Sequence, residues 1–106
     1  MYYKEWNIEE MTGYKPISTF YMDFSIADHF GAKAVRSTYR QAVKEWKTNC
    51  PMVTELVMVL NWKIWEHYQS NKVLARLYND LWQELQAWCY GHLKGSDLEY
   101  FARTID

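Results

Sequence analysis

Three successive stretches between residues 32 and 94 place apolar side chains at three- and four-residue steps, the repeat of a helix buried along one side. Val35, Tyr39, Ala42, Val43 and Trp46 form the first stripe, over about 32–48. Val53, Leu56, Val57, Leu60 and Ile64 form the second, over about 51–69, and its other side still holds Met58, Val59, Trp62 and Trp65. A helix apolar nearly all round is either central to a bundle or partly an interface. The third stretch, about 71–94, carries Leu74, Leu77, Tyr78, Leu81, Leu85, Trp88 and His92 on one face. Only Thr19 to Phe24 offers a candidate strand, so the expected fold is all-α: a bundle of three main helices with short helices at both ends.

The punctuation agrees with this division. Gly13 and Pro16 set off an N-terminal segment with Trp6, Ile8, Met11 and Tyr14, and residues 1–20 read as an aromatic arm packing on the bundle. Ser25 with Asp28 three residues on reads as the cap of a short helix that Gly31 ends. Asn49 can cap the second main helix, with Pro51 in its first turn, and Ser70-Asn71 restarts the chain into the third. Gly95 ends that helix, and Ser96 with Glu99 has the capping-box spacing of a last helix to about Arg103.

At 106 residues and 49% hydrophobic, the chain is one domain able to bury a core without a metal or disulfide staple. Cys50 and Cys89 stand 39 positions apart and read as two buried, reduced thiols. The first seven residues lack a basic region leading into an apolar run, so no secretory signal is expected. The apolar run Leu56 to Leu60 is far short of the roughly 20 residues a bilayer demands. A cytoplasmic protein without a membrane partner is the expectation.

A net charge of −1 conceals an uneven distribution. Residues 32–48 hold five bases and one acid. Lys33, Arg36, Arg40, Lys44 and Lys47 are spaced 3, 4, 4 and 3, which confines them to an arc of roughly 80° beside the apolar stripe. Such a face is either solvated and balanced by acids of neighbouring helices, docked on an acidic protein surface, or laid along a phosphate backbone. Ile26-Ala27-Asp28-His29-Phe30-Gly31 resembles the first helix and turn of a helix-turn-helix, in which Lys33, Arg36, Ser37 and Arg40 would face the DNA groove. Val35 and Tyr39 are offset from that pattern, and Ser37 stands where an apolar residue is usual.

Signals for chemistry are sparse. Cys89 and His92, one turn apart, can share a metal, but no second Cys or His pair stands at ligand spacing. Glu9-Glu10, Glu66-His67 and Asp28-His29 are neighbours in sequence, and neighbours on a helix do not face each other. No glycine-rich phosphate loop occurs. No catalytic residue, metal or cofactor is therefore expected. Of the six tryptophans, Trp46, Trp82 and Trp88 fall on or beside core stripes. Trp6, Trp62 and Trp65 are the candidates for an aromatic interface, either a lid contact of the arm or a homodimer surface.

The segments Met11-Thr12-Gly13-Tyr14-Lys15-Pro16, Phe24 through Gly31 and Thr54 through Asn61 resemble small uncharacterised proteins of bacterial mobile elements, carried by conjugative elements and phages. The resemblance implies a cytoplasmic bacterial setting and an accessory role. The expected function is a non-enzymatic interaction or adaptor module, with a protein partner or a second copy bound through the basic and aromatic surfaces. The alternative is a small DNA-binding accessory factor using residues 25–47.

Overall fold

A computed structural model describes residues 19–105, which form five helices and no strand. They are α1 (Thr19–Asp28), α2 (Ala32–Trp46), α3 (Cys50–His67), α4 (Lys72–His92) and α5 (Ser96–Ile105). Residues 1–18, with Trp6 and nearly all of the expected arm, lie outside the described residues.

Helix α3 is the centre of the bundle, touching every other helix and packing most extensively on α4. That explains why it is apolar all round: Val53, Leu56, Val57, Met58, Val59 and Leu60 are all buried. Val35, Tyr39 and Ala42 bury the inner stripe of α2, and Leu74, Leu77, Tyr78, Leu81 and Leu85 that of α4. His92, at the end of the α4 stripe, is exposed instead, because the helix stops there and Leu93 is already extended.

The main departure from expectation is at the start. Thr19 to Phe24 is helical, so α1 begins six residues before Ser25, and Thr19 and Phe20 belong to it rather than to an extended arm. Phe20, Phe24 and Ala27 are four and three residues apart and all buried, and this side-chain placement outweighs the β preference of the aromatic and β-branched run. Ser25 is accordingly no cap. It lies mid-helix with its hydroxyl turned to α3.

The helix boundaries have local causes. The C=O of Ala27 accepts from Gly31 N–H at 3.1 Å, and the C=O of Gly31 accepts from Val35 N–H at 3.1 Å, so one residue closes α1 and opens α2. Its φ of 103° with ψ of −173° is a backbone state that only glycine adopts without strain. Asn49 Oδ1 accepts from Met52 N–H, and Asn71 Oδ1 from Leu74 N–H, each at 3.1 Å, capping α3 and α4 as their positions foretold.

Candidate functional site

The basic stripe occupies the outer face of α2. Lys33, Arg36, Arg40 and Lys44 are exposed, and among the described residues none forms an ion pair with an acid. Lys47 is half-buried, with its ammonium 5.3 Å from the centre of the Trp88 ring. Glu45, the only acid of the segment, faces away into a cleft between α1 and α2. That cleft, about 600 Å³, is bordered by the exposed Ile26 and Phe30, and its charged lining residues are Asp23 and Glu45.

On its opposite flank α2 meets α4, and a second depression of about 360 Å³ lies between them. Arg36 of α2 and Lys72 and Arg76 of α4 border it, Ala32, Val73 and Leu77 form its apolar floor and walls, and Asp80 stands at its far end. The two helices run in the same direction here, since Ala32 and Arg36 share the groove with 72–80 while further along Tyr39 donates to Glu84 Oε2 at 3.1 Å. Burial, with Glu84 adjacent, pushes the Tyr39 phenol well above its usual range, so it stays a neutral donor.

Of the aromatic candidates, Trp62 and Trp65 lie three residues apart on α3 and differ in exposure, while Trp6 lies outside the described residues. Trp62 is half-buried, its ring 5.4 Å from that of Tyr21, whereas Trp65 is 46% exposed and lies 5.3 Å from the Tyr68 ring. Trp46, Trp82 and Trp88 pack against the core. The Cys89 and His92 pair is not brought together. Cys89 is buried, its thiol pushed up to about 12 by burial, while His92 stacks on Trp88 at 4.5 Å with Nδ1 2.9 Å from the Trp88 carbonyl. Cys50 is also buried and raised, and no disulfide joins the two.

The cluster that spacing did not reveal lies between α1, α3 and α4. Lys63 is wholly buried, and its Nζ lies 2.7 Å from Asp28 Oδ2, 2.7 Å from Glu66 Oε2 and 3.2 Å from Ser25 Oγ. Tyr78 donates to Asp28 Oδ1 at 2.5 Å, and Tyr21 to Glu66 Oε1 at 2.7 Å. His67 Nε2 is 2.7 Å from Asp28 Oδ2; an ionised carboxylate only accepts, so Nε2 carries the hydrogen. Burial alone would raise the Asp28 carboxyl, but donation from Lys63, Tyr78 and His67 together with the Lys63 charge holds it below the ordinary range. Burial and the Glu66 carboxylate push Tyr21 up to about 12, and burial and Asp28 push Tyr78 higher still.

Ligand atoms of Asp28, Glu66 and His67 come within 4.8 Å of one another, a spacing a metal ion can bridge. The Lys63 ammonium, in contact with both carboxylates, already supplies the positive charge that an ion would bring. The cluster thus behaves as a structural tie. Glu66 and His67, set aside as sequence neighbours that do not face each other, enter the same cluster, with His67 Nε2 3.9 Å from Glu66 Oε2; the informative signal is Lys63, a base inside an otherwise apolar helical stripe, which requires a carboxylate from elsewhere. No protein family, curated protein or solved structure matches the chain.

Proposed function

We propose that the chain is a non-enzymatic helical module that binds an acidic protein partner through the outer face of α2. One observation supports this above the rest: Lys33, Arg36, Arg40 and Lys44 stand exposed at helical spacing without a carboxylate partner among the described residues. Like charges three or four residues apart repel by about 0.2–0.5 kcal/mol per pair, and a complementary acidic surface relieves that repulsion. The absence of catalysis is part of the proposal, supported by the burial and raised pKa of both thiols and by the enclosure of Lys63 between carboxylates. No helix among the described residues is long and apolar enough to cross a membrane. The cytoplasmic setting and the accessory role in a bacterial mobile element rest on the sequence resemblance.

Tagged capture from a bacterial lysate, with and without nuclease treatment, tests this, comparing the native chain with an Arg36→Glu/Arg40→Glu variant. Retention of an acidic protein by the native chain and its loss from the variant is the expected outcome. Loss of every partner on nuclease treatment would overturn it.

A DNA-binding reading is favoured by one feature, the order α1, three-residue turn, α2, with Lys33, Arg36, Ser37 and Arg40 exposed on the second helix. It requires duplex binding that weakens steeply with salt. Failure of heparin or random duplex to retain the protein at low salt sinks it.

A further inference from the structure

We infer that the groove between α2 and α4 seats an acidic amphipathic helix of that partner, an inference that rests on the cationic-face reading and sharpens it. Charge selects the class of occupant. Three bases, Arg36, Lys72 and Arg76, border the depression against one acid, Asp80, and Arg36 forms no ion pair with Asp80 although both line it. The guanidinium groups of Arg36 and Arg76, one on each wall, can take carboxylates in forked, two-bond geometry. Between the walls the surface is apolar: Val73 is 70% exposed at the mouth, and the buried Leu77 forms the floor.

A ligand matching this surface carries an aliphatic side chain for the depression and carboxylates at helical spacing beside it. Nucleic acid matches it less well. The lining offers no aromatic ring on which a base can stack, the floor would desolvate phosphates without hydrogen-bonding them, and Asp80 would repel them. The groove also continues into the basic row through Arg36, so an occupant helix can run on along Arg40 and Lys44.

The test uses the full chain, isotope-labelled, titrated with a synthetic amphipathic peptide of Glu and Leu, its Lys and Leu counterpart, and a random DNA duplex. Saturable binding of the acidic peptide is expected, with amide shifts concentrated at Ala32, Val73 and Leu77. Affinity should fall about tenfold or more in Arg36→Glu, Arg76→Glu and Val73→Asp, the loss of one charged or apolar anchor being about 1.4 kcal/mol. All three positions are exposed, so unchanged melting curves will show that the variants fold. Absence of saturation, equal binding of the basic peptide, or displacement of the acidic peptide by DNA overturns the inference. The groove and the broader reading fail in different ways. If Arg40→Glu and Lys44→Glu abolish partner capture while Arg76→Glu and Val73→Asp leave it intact, the groove is wrong and the cationic face stands. If none of these variants affects capture, both are wrong.

Discussion

Lys63 and Arg40 carry the same charge on adjoining helices of one small bundle, and their surroundings are opposite. Lys63 has no exposed surface and touches two carboxylates, a hydroxyl and the face of the Tyr21 ring, 4.9 Å away. Arg40 is exposed, lies one turn from both Arg36 and Lys44, and has no acid partner among the described residues. The contrast follows from solvation. A buried ammonium loses several kcal/mol of hydration and persists only with counter-charges in contact, whereas water screens an exposed guanidinium. What solvation does not explain is why the acids of this nearly neutral chain are placed elsewhere. Asp28 and Glu66 serve Lys63, Glu84 accepts from Tyr39, and Asp23 and Glu45 line the α1–α2 cleft, so the row on α2 keeps its own repulsion.

The largest effect expected from this difference comes at Lys63. Lys63→Met fills the same space but leaves Asp28 and Glu66 without their shared cation, and stability should fall by about 3–5 kcal/mol. Urea unfolding measures it. A loss below about 1 kcal/mol would mean that the cluster is solvated and that the two regions do not differ as described.

Asp28 gives the next effect, because one carboxylate joins α1 to Lys63 and His67 of α3 and to Tyr78 of α4. Asp28→Asn removes the charge from these bonds, and a loss of about 1.5–3 kcal/mol is expected at neutral pH. Its pH dependence has a definite sign. The folded-state pKa lies below the unfolded value, so the contribution is fully present above the ordinary carboxylate range of about 4 and is lost as pH falls through the folded pKa. The stability gap between native and Asp28→Asn proteins should therefore narrow as pH falls below that range. A gap that does not narrow there contradicts the assigned geometry.

The same two regions explain how far the sequence could be read. The stripes of α2, α3 and α4 were legible because each buries one continuous face, and Asn49 and Asn71 were legible because capping is a three-residue interaction. The basic row was legible for the same reason: all its members sit on one helix. The Lys63 cluster was not, since Asp28 and Tyr78 lie 35 and 15 positions away from Lys63, and only the packing of three helices brings them together. Helix α1 was misjudged at Thr19 to Phe24 because local β preference pointed one way and the burial of Phe20 and Phe24 the other. The α2–α4 groove depends on the parallel alignment of helices separated by all of α3, which no local pattern specifies.

The smallest expected effect discriminates most directly between a balanced surface and an unbalanced one. Arg40 stands four residues from Arg36 and four from Lys44, so Arg40→Glu converts two repulsive helical pairs into two attractive ones. Each pair then changes by about 0.4–1 kcal/mol, so the variant should be more stable than the native protein by about 1–2 kcal/mol at low ionic strength. The gain should shrink in high salt, where exposed charges are screened over a few ångströms. A higher melting temperature at low salt, combined with weaker partner binding, would show that the native row sacrifices stability for recognition. Destabilisation by more than 1 kcal/mol would instead mean that Arg40 has a carboxylate partner within the fold, and the distinction between the paired interior and the unpaired face would then fail at its centre.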